Sequence, residues 1–248
     1  MWKTVARKAA TLVAPEWFRR RDLRRAHVEF ARAFRDALSA LPALEAKVER
    51  TLADPRYATV QRPTEILSLL ARVRDLKPTR VCEIGSYAGG TLALFSQVAP
   101  PDARLLSLDI GYLNERDWAF REFARPGQTV ATFQADSHRN ETRAWVRAWL
   151  GGSPLDFLFI DGDHSFAGVA QDFAMYAPLV RPGGLVAFHD ITLDNRTRHG
   201  TSTGGDVGEV PRFWAELKAK GYATEEFVEN PDQDGMGIGL VHWDGKVR

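Results

Sequence analysis

The chain has 248 residues, 44% hydrophobic and 26% charged, enough apolar material for one good-sized core or a core with an appendage. Its lone cysteine, Cys82, excludes an intramolecular disulfide and a cysteine-based zinc cluster, and points to a reducing, cytoplasmic setting. No apolar run reaches the roughly 18–20 residues that span a bilayer, and the first 21 residues lack the apolar stretch of a signal peptide.

The net charge of +1 conceals an asymmetry: residues 1–60 carry 13 Lys/Arg against 7 Asp/Glu, and residues 61–248 carry 20 against 25. The basic excess centres on Arg19, Arg20, Arg21, Arg24 and Arg25. It suits a solvated helix face or a contact between subunits, and in second place an anionic membrane surface, an acidic partner or nucleic acid. Residues 16–52 read as helix, with Phe30, Phe34, Leu38 and Leu41 recurring every three or four positions. Pro63 opens another helix whose Ile66, Leu67, Leu70 and Val73 share a face. Residues 1–60 are therefore expected to form a helical extension or cap, and residues 61–248 the main domain.

From Arg80 the chain alternates strand-like and helix-like segments: RVCEI, RLLSLDI, TVATFQAD, LDFLFID and GLVAFHDI, each followed by helical periodicity, then YATEEFV and GIGLVHW. Strands joined by helices imply right-handed crossovers, and their continuous apolar character implies burial on both faces. The expected fold is α/β, a doubly wound, mostly parallel seven-stranded sheet with the last two strands antiparallel neighbours. Ligands of such a sheet bind at the carboxyl ends of its strands, so the informative residues are those that end each strand.

After the first strand comes CEIGSYAGGTLALF. Gly85 and Gly89 bracket a tight turn, but the dinucleotide fingerprint would need glycine where Tyr87 stands, and no Gly-Lys-Ser/Thr of a P-loop follows. Glu83 would repel a pyrophosphate and attract an ammonium or sulfonium. The E-I-G-S-x-x-G-G stretch resembles motif I of class I S-adenosylmethionine-dependent methyltransferases. The resemblance implies that Gly85, Ser86, Tyr87 and Gly89 line the methionine end of the cofactor, with Glu83 holding that end directly or through water. Asp109, ending the second strand, can accept from both ribose hydroxyls. The family places an acid near the adenine amino group where Asp136 stands, and Ser137 can add a hydrogen bond there.

The fourth strand ends in Asp161 and the fifth in His189 and Asp190. Two carboxylates converging from adjacent strand ends repel unless a cation or proton lies between them, and a hard divalent ion is the simple answer. The stretch FIDGDHSFAGVAQDFAMYAPLVRPGGLVAFHDI is similar to that of metal-dependent small-molecule O-methyltransferases. The nearest subgroup acts on sugars of natural products and glycans and includes cephalosporin-hydroxylase-like proteins. This resemblance implies metal ligation by Asp161 and by an acidic pair at positions 189 and 190, with His164 as general base and Asp161 also touching the cofactor. His189 departs from the acidic pair. Either it is no ligand, or manganese or iron competes with magnesium, or no metal binds.

Asp163 is read as the N-cap of the following helix, and His138 and His199 as incidental. The 19-residue Gly/Thr loop from Thr192 is expected to be structureless and to act as a substrate lid. Phe213 and Trp214, just after the loop, could line an acceptor pocket, though a Trp on a helix face is more often core. The leading expectation is methyl transfer from S-adenosylmethionine to a hydroxyl of a small molecule, a sugar or glycoside foremost, with divalent-metal assistance. The rivals are a cofactor-binding homologue without methyl transfer, a nucleic-acid methyltransferase, disfavoured by the acidic domain, and a non-enzymatic binding module.

Overall fold

The computed structural model describes residues 16–113, 116–201 and 206–248, with side chains from residue 22 onward. The expectations placed on residues 1–15, on the side chains of Arg19, Arg20 and Arg21, and on residues 202–205 of the Gly/Thr loop fall outside it. Of the rest of the basic run, Arg24 lies over the Trp118 ring at 5.5 Å and Arg25 pairs with Glu29 at 3.0 Å. Among the described residues, no helix is long and apolar enough to cross a membrane.

The helix expected over residues 16–52 is two helices, α1 (Glu16–Ala40) and α2 (Leu44–Leu52). Pro42 lies in the break, where its missing N–H would cost an intrahelical bond. Helix α3 (Pro63–Leu76) carries its proline in the first turn and ends at Lys77 in the left-handed conformation. There follow β1 (Arg80–Ile84), α4 (Gly90–Val98) and β2 (Arg104–Asp109). The connection to β3 (Thr129–Gln134) is less helical than its sequence suggests. Among the described residues its longest pieces are α5 (Asp117–Phe120) and a 3-10 turn, Arg121–Phe123. Then come α6 (Asn140–Leu150), β4 (Leu155–Ile160), α7 (Phe166–Tyr176) and β5 (Val180–His189). The loop after β5 is not structureless. It contains α8 (Asn195–His199), whose N-cap Asp194 accepts from Thr197 N at 2.8 Å. Helix α9 (Val210–Ala219) and strands β6 (Ala223–Phe227) and β7 (Ile238–Trp243) complete the chain.

The seven strands lie in the order β3-β2-β1-β4-β5-β7-β6, with β7 antiparallel to both neighbours and the other pairs parallel. This is the doubly wound, mostly parallel sheet expected from the alternation. The strands bury both faces by turns. Val81, Phe157 and Phe159 join the side covered by α1–α4, while Cys82, Leu158 and Ile160 join the side covered by α6, α7 and α9. Phe34 and Leu38 of α1 and Val48 of α2 belong to the first of these cores, so the N-terminal helices and the sheet bury apolar surface together.

The register fixes the site. Ile84 pairs with Leu108 on one side and Ile160 on the other, and Ile160 pairs with Phe188. The first residues beyond β1 and β4 therefore emerge level with Asp109 and His189. Because β1 leads outward to β2 while β4 returns to its other side, the strand order reverses between β1 and β4. That reversal opens the crevice in which such sheets bind ligands.

Candidate active site

The crevice is a cavity of about 710 Å³ at the carboxyl ends of β1–β5. Its β1–β3 half is built on the glycine loop. Gly85 has φ +82°, and a Cβ there would stand 1.9 Å from the backbone oxygen of Asp161. Only glycine lets the loop fold this closely against the end of β4. Asp109 stitches the loop down: Oδ2 accepts from Ser86 N at 2.7 Å and Tyr87 N at 3.1 Å, and Oδ1 from Gly111 N at 2.8 Å. Tyr87, at φ +46° and half exposed, and Ser86 line the cavity with Gly85. Asp136 and Ser137 also line it, and Asp136 Oδ1 accepts from His138 N at 2.9 Å.

Two residues expected at the methionine end lie off the cavity wall. Gly89 is not on the cavity wall. Its φ is +85°, and a Cβ would enter the Phe120 ring at 2.6 Å, so this glycine answers to packing. Glu83 is fully buried beneath the loop, also off the cavity wall, and accepts from Ser86 Oγ at 2.5 Å. Burial raises its pKa well above the usual carboxylate range, with the charges of Asp161 and Asp109 adding to the shift. Its route to the cavity is through Ser86, which is also 2.6 Å from Ser107 Oγ.

The β4–β5 half is a knot of charge. Asp161, His164 and Asp190 each offer a ligand atom within 4.8 Å of the others. His164 Nε2 lies 3.6 Å from both Asp161 Oδ1 and Asp190 Oδ2, and His189 Nδ1 lies 3.3 and 3.2 Å from the same two oxygens. Asp190 is a buried non-glycine residue at φ +62°, a conformation that costs energy and persists only where its surroundings enforce it. His164 Nδ1 is 2.8 Å from Asp206 O. A carbonyl can only accept, so Nδ1 carries a hydrogen and Nε2 is the nitrogen that faces the carboxylates.

The bond to Asp161, reinforced by Asp190, raises the pKa of His164 to about 9. Burial disfavours a charged His189, but the two aspartates outweigh it and carry that ring to about 10. Burial likewise opposes the Asp161 charge, and the two imidazoles outweigh it and hold its pKa below the usual value. Without another cation, protonated rings keep the carboxylates together. The two converging carboxylate oxygens, with imidazole nitrogens beside them, fit a divalent ion.

Other residues of the cavity carry no distinguishing pattern in the sequence. Gln61, 5% exposed, donates from Nε2 to Asp161 Oδ2 at 3.0 Å across 100 positions of chain. Ile110 stands on the cavity wall 74% exposed. His138, read as incidental, lines the cavity with Nε2 3.4 Å from Asp172 Oδ1. Asp172 is wholly buried, and burial lifts its pKa to about 6. The spacing from Asp172 on α7 to His138 before α6 follows no local period, so no pattern in the sequence announces the pair. His199 is exposed and off the cavity wall, and Phe213 and Trp214 are core residues. The N-cap of α7 is Ser165, which accepts from Gly168 N, whereas Asp163 accepts from Ser165 N at 2.8 Å just ahead of the cap.

Residues 82–191 match the family described as methyltransferase domain. Over 185 residues the chain is 25% identical to the uncharacterised protein y4gI of Sinorhizobium fredii, covering 71% of this chain and 18% of that protein. The chain thus matches only a small part of that relative's length. Among solved structures, an O-methyltransferase from Bacillus cereus in complex with SAH superposes with a TM-score of 0.55 at 20% identity, covering 87% of this chain and 99% of that one. MycE, a methyltransferase of the mycinamycin biosynthetic pathway in complex with Mg, SAH and mycinamycin VI, gives a TM-score of 0.53 at 20% identity, over 83% of this chain and 54% of that one.

Proposed function

We propose that the chain is a methyltransferase on the class I fold, with residues 82–191 as its methyltransferase domain, and that it methylates a hydroxyl of a small molecule using S-adenosylmethionine and a divalent cation. The observation that carries the reading is the convergence of Asp161, Asp190 and His164 beside the glycine loop, within one cavity. The magnesium and SAH in the MycE complex support the same pairing of cation and nucleoside.

In this reading residues 61–248 bind the cofactor, and residues 58–60 of the preceding segment close one side of the site. Asp109 receives the ribose hydroxyls, Asp136 and Ser137 the adenine edge, and Ile110 the adenine face. The backbone of residues 85–87 faces the methionine end, with Glu83 acting through Ser86. Asp161 and Asp190 hold the cation, with His189 beside them. A divalent ion held by Asp161 and Asp190 would lower the pKa of a coordinated hydroxyl and offset the carboxylate field that keeps His164 protonated. His164, oriented by its Nδ1–H to Asp206 O, then takes the hydroxyl proton on Nε2. The acceptor oxygen would bond to the methyl carbon as that carbon's bond to the sulfonium sulfur breaks in line, with S-adenosylhomocysteine leaving. Positioning of the two reactants supplies much of the rate.

The acceptor we propose is a glycosyl group without phosphate or carboxylate near the reacting hydroxyl. Seven aspartates and no Lys or Arg stand among the described residues of the cavity wall, a field that repels anions. The lone buried Cys82 suits a cytoplasmic setting. The test is mass spectrometry of methyl glycosides, amino sugars and glucuronides incubated with S-adenosylmethionine and Mn2+ or Mg2+. A gain of one methylene on the neutral or amino sugars, lost on chelation, is expected. Preferential methylation of glucuronides, or transfer indifferent to chelation, would remove the acceptor or the metal part respectively.

A further inference from the structure

One wall of the cavity is formed by the segment before α3. Residues 57–59 lie so close to the start of α4 that a Cβ on Gly90 would stand 2.2 Å from Tyr57 O. The contact joins three polar side chains. Thr59 Oγ1 is 2.7 Å from Thr91 Oγ1, the Thr91 hydroxyl donates to Gln61 Oε1 at 2.9 Å, and Gln61 Nε2 donates to Asp161 Oδ2 at 3.0 Å. Thr59, Thr91 and Gln61 are all buried.

The hydrogens in this chain can run only one way. An ionised carboxylate accepts and never donates, so the amide must turn its NH2 to Asp161. Its carbonyl then faces Thr91, which must donate, and the Thr91 oxygen is left to accept from Thr59. Flipping the amide would set a carbonyl against a carboxylate and leave Asp161 Oδ2 without its donor. Asp161 is thereby divided. Oδ2 is occupied by Gln61, while Oδ1 faces His189 Nδ1 at 3.3 Å and His164 Nε2 at 3.6 Å.

We propose that Gln61, polarised through Thr91 and Thr59, is a positioning residue that reserves one oxygen of Asp161 and presents the other to the divalent cation as a single-oxygen ligand. The proposal rests on reading Asp161 as a cation ligand. It also explains why the segment before α3 packs on the first turn of α4: together they couple the end of the glycine loop to the charged half of the cavity.

The test compares the wild-type chain with Gln61→Met, which keeps length and burial but has no donor, and Thr91→Val, which removes the hydrogen that orients the amide. Mn2+ binding is followed by electron paramagnetic resonance on protein saturated with S-adenosylhomocysteine, and S-adenosylhomocysteine binding by calorimetry. Loss of an outer partner of a metal ligand typically weakens metal binding about 10–100-fold, the loss expected for Gln61→Met, with about 3–10-fold for Thr91→Val and nucleoside affinity held within about twofold. The double variant should bind Mn2+ no more weakly than Gln61→Met, since both changes act through one amide.

Mn2+ affinity of Gln61→Met within about twofold of wild type overturns the proposal, as does an equal fall in nucleoside affinity, which would make Gln61 plain scaffold. If Gln61→Met does not fold, Thr91→Val decides on the same two measurements. A wild-type chain with no saturable Mn2+ site brings down the metal reading and this proposal together, an outcome distinct from a wild type that binds and a variant that is unaffected.

Discussion

The two halves of the cavity treat their carboxylates in opposite ways. At the ends of β2 and β3, Asp109 and Asp136 accept from backbone N–H groups of their own surroundings: Ser86, Tyr87 and Gly111 for one, His138 for the other. At the ends of β4 and β5, Asp161 and Asp190 face each other across two imidazoles, with Asp190 held in the left-handed region. The first half is preorganised and electrically settled. The second depends on a balance of charge that a cation, a proton or a neighbouring amide can tip. The same strand-end position serves either purpose, and the outcome is set by whether the backbone turns back over the carboxylate to satisfy it.

The sharpest way to break this comparison is to remove one acid from each half. Asp161→Ala is expected to lower methyl transfer by about 10³-fold or more, on the scale of losing the cation that activates the nucleophile. Its affinity for S-adenosylhomocysteine, read by calorimetry, should stay close to wild type; an equal collapse there would merge the two halves into one. Asp109→Ala should do the reverse, weakening S-adenosylhomocysteine about 10–100-fold while Mn2+ binding persists, because a carboxylate that accepts several hydrogen bonds contributes about 1.5–3 kcal/mol for each charged one. Loss of Mn2+ binding in that variant would contradict the division.

Gly85 is the hinge between the halves. Gly85→Ala must place a methyl group on the backbone of Asp161 at a positive φ, and a destabilisation of about 2–4 kcal/mol by chemical denaturation is expected. A wild-type midpoint would mean the loop relaxes freely from β4. The pH dependence sharpens the contrast further. The pKa values of His164 and His189 lie at about 9 and about 10 in the fold, above the ordinary histidine value of 6.5. The folded chain therefore holds protons that the unfolded chain releases in that window, and the stabilisation they give is complete below pH 6.5 and lost as pH rises through 9 to 10. Thermal scans of chelated protein should show the midpoint falling from about pH 7 toward 10, with saturating Mn2+ offsetting the fall; a loss that Mn2+ does not offset would place its origin elsewhere. The smallest effect is expected at Ile110→Ala, where removing apolar surface meant for a ligand should cost S-adenosylhomocysteine binding about 1 kcal/mol.

The sheet was legible because its information is local. RVCEI, LDFLFI and LVAFH are apolar throughout, as strands buried on both faces must be, and the helical segments between them announce crossovers. The strand ends were legible for the same reason: Asp109, Asp161, His189 and Asp190 each terminate an apolar run. Legibility failed where a side chain answers to a distant element. Gly89 looks like a ligand-lining glycine until the Phe120 ring fills the space beside it, Glu83 looks like a loop acid until it is found beneath the loop, and His138 looks incidental until Asp172 arrives from α7.

Taken alone, the order of amino acids determined that this chain winds strands and helices alternately and sets acids and imidazoles where strands stop, since hydrophobic periodicity and turn chemistry act over a few residues. The tertiary structure decided which of those acids are quieted by backbone and which are left to face one another, that Asp190 is bent into a left-handed turn, and that Gln61 reaches across 100 positions to one oxygen of Asp161. Those outcomes depend on strand register and on the reversal of strand order between β1 and β4, which bring remote segments within a few ångströms, and no short-range pattern encodes that distance.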